Sequence, residues 1–289
     1  MIRSIAAFAI ALLLSVNATA GERDVARRMS FGGACEKCDL SGKKLIGSAF
    51  ISSNFGRANL SGADLRGASF HASNFGSANF SRADLRGASV MASNFSGTQF
   101  ADALLEGLNA KASSFNGARM SHVKLRASDM IATDFRSADL TGADLSESTL
   151  IAANFQSTDA RGADFHEADM KGANLRAGRF ERANFREASL ISATLTGGQY
   201  SGAEFNEADL RRADIRGADL AGARGLTQDQ IDDACADSAT RLPGGIKGHE
   251  CHGPFGMAHF AISMPGMPPV PPPAPPAPPA PPAPPAPPR

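Results

Sequence analysis

The segment Ala63-Asp64-Leu65-Arg66-Gly67-Ala68-Ser69 recurs twenty residues later as Ala83-Asp84-Leu85-Arg86-Gly87-Ala88-Ser89. Stepping outward from Leu65 by fives, every position from Leu40 to Leu220 is apolar, 37 in succession with no insertion. Leu and Phe dominate these centres, and Ala110 and Ala160 are the smallest occupants. Two residues before a centre stands a small residue, as at Ala58, Ala78 and Ser93, with Lys43, Leu108 and Val123 the clear exceptions. Immediately before the centre comes Asn or Asp in 22 of the 37 units, so the pattern constrains three positions in every five.

A period of five fits neither regular element. On a helix, successive centres would be rotated by roughly 140° and form no stripe. On a straight strand an odd spacing sends alternate centres to opposite faces. The remaining solution is a chain that turns a corner every five residues and aims each centre at one interior axis. Like stacks on like only at an interval of twenty: Leu65 with Leu85, and Phe75 with Phe95, Phe115 and Phe135. Four corners per coil give a square cross-section, and these six residues form the expected core stack.

The units Ala-Asn-Leu-Ser-Gly (58–62), Ala-Asp-Leu-Arg-Gly (63–67 and 83–87), Ala-Asp-Leu-Thr-Gly (138–142) and Ala-Asn-Leu-Arg-Ala (173–177) resemble the A(D/N)LXX signature of pentapeptide-repeat proteins. The resemblance spans about residues 38–224. It implies an all-β fold, a right-handed quadrilateral β-helix. About nine coils at the ~4.8 Å ladder spacing give a rod of roughly 45 Å. Stability in such an array sums over neighbouring coils. Ala110 and Ala160 underfill their slots, so the stretch around 101–125 is expected to be the least regular.

Flanking segments divide the rest of the chain. Arg3, the apolar run Ile5–Val16 and Ala18-Thr19-Ala20 read as a signal peptide over 1–20, too short for a membrane span. The mature chain is then exported, periplasmic or secreted, with no span left after cleavage. Residues 21–37 and 225–247 are expected to cap the coil ends. Thr227 and Gln230 form a capping-box pattern that predicts a short helix in the second cap. Residues 248–289 read as a disordered tail, Met/His-containing and then Pro-Ala-rich, since sixteen of the eighteen prolines lie in the last 25 residues.

An exported chain with four cysteines predicts disulfides, here Cys35–Cys38 and Cys235–Cys251. A single four-cysteine zinc site is disfavoured, because the rod separates the two pairs by roughly 45 Å and all ligands must lie within about 2.3 Å of the zinc. His249, Cys251 and His252 are weak candidates for metal ligands in the tail. No other metal, cofactor or catalytic residue is predicted.

Composition narrows the function. Lys plus Arg equals Asp plus Glu, 29 against 29, which gives no global attraction to nucleic acid. The histidines His71, His122 and His166 occur singly, so an enzyme is not predicted. The resemblance brings in DNA mimicry toward topoisomerases, which needs an acidic rod in the cytoplasm. The neutral array and the signal peptide disfavour it. A metal-binding periplasmic protein acting through the tail is a further alternative. The leading expectation is an exported, non-enzymatic scaffold that binds an unknown protein or cell-envelope component. Residues 39–128 carry ten basic and five acidic side chains, and residues 129–224 eleven and sixteen. That asymmetry raises end-to-end self-association.

Overall fold

The computed structural model describes residues 30–31 and 33–250. The signal-peptide reading, the tail from 251 onward, Cys251 and His252 lie outside the described residues. Between Ala34 and Arg224, parallel bridges join residues one coil apart, among them Asn54–Asn74, Asp64–Asp84 and Glu204–Arg224. On one face the first bridges widen into β1 (Ser30–Phe31), β2 (Ala49–Ile51) and β3 (Ser69–His71), paired in parallel in that order.

Backbone polar groups must be paired, and the five-residue unit does this with one repeated scheme. The centre's N–H donates to the next coil, Leu65 N to Asp84 O at 2.7 Å. The preceding N–H donates to the previous coil, Asp84 N to Ala63 O at 3.0 Å. Gly67 N reaches Arg86 O at 3.0 Å, and Ala68 N closes the turn on Leu65 O at 2.9 Å. One N–H in five is left over, that of the residue after the centre. The Asn or Asp before the centre takes it: Ser81 N donates to Asn79 Oδ1 at 3.0 Å and Arg86 N to Asp84 Oδ1 at 3.2 Å. The side chain closes an Asx turn at nearly all such corners, Asn109 and Asp129 being the exceptions, and this is the physical reason for the Asn/Asp preference.

Inside, the centres Leu65, Leu85, Phe75, Phe95, Phe115 and Phe135 are fully buried. The Phe75, Phe95, Phe115 and Phe135 rings stack one per coil, with centroids 5.2–5.4 Å apart and planes within 17°. Ser73 and Ser93 at the small position are satisfied, Ser73 Oγ donating to Phe50 O at 2.8 Å and Ser93 Oγ to Phe70 O at 2.8 Å, whereas Ser48 Oγ is buried without a partner among the described residues. The column Phe180–Tyr200 is packed differently. A Cβ on Gly178 would lie 2.5 Å from the Phe180 ring, and one on Gly198 2.7 Å from the Tyr200 ring. Those two glycines exist because their neighbours' rings fill the small slot. The Tyr200 hydroxyl is buried with no hydrogen-bond partner among the described residues, and burial raises its pKa well above the usual phenol value.

The expectation of irregularity around 101–125 is met at two places: Asp102 N and Lys124 N lack the coil-to-coil bonds, to Ser121 O and Ala103 O, that the same positions make in neighbouring coils. The centres keep theirs, Leu105 N to Lys124 O at 3.0 Å, Ala110 N to Asp129 O at 2.8 Å and Phe115 N to Asp134 O at 2.7 Å. Leu108 and Ala110 are both fully buried. The ladder bonds belong to the backbone, so the exchange of large and small side chains between these two slots leaves the bond of Ala110 in place.

At the N-terminal end the scheme extends back to the cysteines. Cys35 N donates to Asn54 O as a centre does, and Cys38 N to Cys35 O as a small-position residue does. Cys35 and Cys38 are bridged with Cα atoms 5.4 Å apart. At the C-terminal end α1 (Gln228–Asp232) starts on Thr227, with both halves of the capping box present. The Gln230 amide donates to Phe205 O and Ala208 O, each at 2.8 Å, where a further coil would otherwise supply donors. Ile231, a residue of this helix, is fully buried. Then β4 (Cys235–Ala236) continues the ladder through Ile215 N to Cys235 O and pairs in parallel with β5 (His249–Glu250). Cys235 is disulfide-bonded; Cys251, the partner expected from the sequence, lies outside the described residues.

Candidate interaction surface

The ladder and the core occupy the backbone and every centre, so whatever this region binds must meet the side chains flanking each centre. These form straight columns, one residue per coil. The commonest motif is an acid before the centre paired with a base after it. Arg66, Arg86, Arg136, Arg161, Arg211 and Arg216 each lie 2.5–2.7 Å from the aspartate two residues earlier. The guanidinium beside each carboxylate holds Asp64, Asp84, Asp159 and Asp209 below the ordinary aspartate pKa. Much of the charge is therefore neutralised within its own unit. At these exposed sites each pair is a local lock and a weak source of stability.

Three stretches depart from that motif. Along one column Asn54, Asn74 and Asn94 bond side chain to side chain at 2.9 Å and carry no charge. After the preceding centre, Phe50, Ile51 is exposed, with Met91, Ile131, Ile151 and Ile191 half-buried in the same column. The third departure is acidic. Glu147, Glu167, Glu187 and Glu207 occupy one corner in four successive coils, all at φ 57–59°. Nearer the C-terminal end, Arg182 and Arg224 flank a shallow hollow with Ser201, Gly202, Glu204 and Gly222.

Among the residues singled out from the sequence, His249 is exposed and its Nε2 lies 3.4 Å from Asp232 Oδ1. Cys251 and His252, its expected companions, lie outside the described residues. His71 follows Phe70, His122 stands in a left-handed turn, and His166 stands beside Glu167. The glutamate corner was missed in the sequence reading. Its signal is there as glutamate at an interval of twenty, but it shows only when the outer positions are sorted into columns as the centres were.

No helix among the described residues is long and apolar enough to cross a membrane. A family profile described as pentapeptide repeats matches in eight copies, over residues 35–67, 53–90, 93–130, 128–166, 168–199 and 188–224. No curated protein matches the chain. Among solved structures the chain is similar to HetL, a pentapeptide repeat protein involved in heterocyst differentiation regulation from the cyanobacterium Nostoc. The identity is 25%, over 74% of this chain and 93% of that one, with a TM-score of 0.36. It is similar also to a pentapeptide repeat protein of the Arabidopsis thaliana thylakoid lumen, at 31% identity over 37% and 73%, TM-score 0.36. A third is QnrB1, a plasmid-mediated fluoroquinolone resistance protein, at 19% identity over 72% and 92%, TM-score 0.35.

Proposed function

This chain belongs to the pentapeptide repeat family, and from that premise we propose that it is an exported, non-enzymatic scaffold whose outer columns bind a protein or cell-envelope partner. Membership implies a right-handed quadrilateral β-helix, which we take to run for about nine coils between its two caps. The observation that carries the reading is the division of labour in the repeat. Backbone bonds and centres are used up in building the array, while the flanking positions vary from coil to coil at no cost to the ladder. A surface of that kind is a rigid ruler for side chains at ~4.8 Å intervals. The signal-peptide pattern over 1–20 and the cysteine usage support export. Mimicry of DNA is disfavoured, because the locally paired charges leave residues 39–224 with 21 basic and 21 acidic side chains.

The test is a crosslinking pull-down from the exported fraction, with the whole mature chain and with one lacking residues 248–289. A partner retained by both forms supports recognition by the columns. A partner lost with the tail assigns recognition to the tail, and a protein found wholly in the cytoplasm removes the proposal.

A further inference from the structure

His166 follows the centre Phe165, Glu167 takes the left-handed corner beside it, and Glu187 occupies the same corner one coil on. His166 Nδ1 lies 3.0 Å from the carbonyl oxygen of Arg186. A carbonyl only accepts, so Nδ1 carries the proton, and Nε2 faces Glu167 Oε1 at 3.2 Å. A neutral imidazole presents a lone pair at that nitrogen, and an ionised carboxylate presents lone pairs only. The contact is attractive when a cation, a proton or a metal ion, sits at Nε2. Glu187 brings a third donor: one ligand atom each from His166, Glu167 and Glu187 lie within 4.8 Å of one another.

The surroundings decide between a proton and a metal. Neither Glu167 nor Glu187 has a Lys or Arg partner among the described residues. Arg126, whose charge reaches Glu167 without pairing to it, is bridged to Glu147 of the glutamate column. Asp164 is occupied by Asn184 and by the backbone of His166. Glu207 adds a further carboxylate one coil beyond Glu187, and the Arg186 side chain, next to His166 in its own column, pairs with neither glutamate. A single proton on His166 leaves one of the two nearest carboxylates uncompensated, and a divalent ion offsets both. A backbone carbonyl behind the unused nitrogen is also what orients metal-binding histidines. Donors around tetrahedral zinc stand roughly 3.4 Å apart, at about 2.1 Å from the metal, so rotation of two exposed glutamate side chains closes the set.

We propose that His166, Glu167 and Glu187 form a surface site for a divalent transition-metal ion, zinc by its donor chemistry, which ties two adjacent coils together. Three protein donors leave a fourth position open to a water or a partner's side chain.

Isothermal titration of the full chain with zinc chloride tests this against His166→Ala, Glu187→Gln and the tail variant His249→Ala/His252→Ala. The expected result is one site per chain, abolished in His166→Ala, weakened at least about tenfold in Glu187→Gln and unchanged in the tail variant. Zinc should raise the melting temperature of the wild type and not that of His166→Ala, whose metal-free melt should match the wild type and so show that it folds. Absence of zinc binding by the wild type, equal binding by His166→Ala and Glu187→Gln, or loss only in the tail variant overturns the proposal.

Discussion

At the corner that follows the Leu65 column, Gly47, Gly67, Gly87 and Gly107 turn the chain at φ 62–67°. Further along the same corner Glu147, Glu167, Glu187 and Glu207 turn it at 57–59°. The backbone is nearly the same in both stretches although one residue type favours that conformation and the other resists it. The Phe75–Phe135 column behaves in the opposite way, since its fully buried slots hold stacked rings and no polar residue. Ladder bonds therefore dictate the corner backbone whatever residue stands there, and the enclosed interior dictates the centre. The chemistry open to change lies outside.

The hardest test of that contrast is a charge in the interior. Phe95→Asp removes a stacked ring and strands a carboxylate, so it should cost at least about 4 kcal/mol and unfold neighbouring coils. Arg86→Asp, on the outside, should leave the circular dichroism melt close to that of the wild type, with only its pair with Asp84 lost. Equal destabilisation by both would refute the division between inside and outside.

A subtler interior pair concerns the Tyr200 column. Gly198→Ala places a methyl against the Tyr200 ring and should destabilise by about 1–3 kcal/mol, as overpacking does. Tyr200→Phe removes the unpartnered buried hydroxyl and should stabilise by about 1 kcal/mol. Denaturant melts of the two variants should therefore move in opposite directions, and a loss of stability in Tyr200→Phe would show that the hydroxyl is satisfied.

At the corner itself Glu187→Gly should stabilise by up to about 1 kcal/mol in metal-free protein, because glycine accepts the left-handed turn that glutamate resists. A melt in chelator measures it, and a clear loss of stability would mean that the glutamate contributes more than its backbone cost.

The smallest effect is in acid. Asp64, Asp84, Asp159 and Asp209 have folded pKa values below their unfolded ones. Their contribution is present above about pH 4, the unfolded aspartate value, and disappears as pH falls through the folded values. Melts should thus be insensitive to these pairs between pH 5 and 7 and should soften only below pH 4. Asp84→Asn should flatten that acid limb, and an unchanged limb would exclude Asp84 from it.

Much of the fold was legible because the interior admits one kind of residue at each turn. An apolar residue every fifth position, a small residue two before it and an Asn or Asp just before it record the centre, the close wall and the one N–H that the ladder leaves over. The sequence by itself therefore determined the period, the four sides, the stacked columns and the helix that begins on Thr227. It did not reveal that the underfilled slot at Ala110 keeps its ladder bond while Asp102 N and Lys124 N lose theirs, because backbone bonds carry no side-chain signature. Nor did it reveal that Cys35 and Cys38 occupy the centre and small slots of the same scheme. Only the tertiary structure decided that the His166 ring turns its Nδ1 toward Arg186 and its other nitrogen toward Glu167, with Glu187 one coil away. Residues twenty apart in sequence become neighbours only when the coils stack, and which atoms they present depends on side-chain rotation that no spacing encodes.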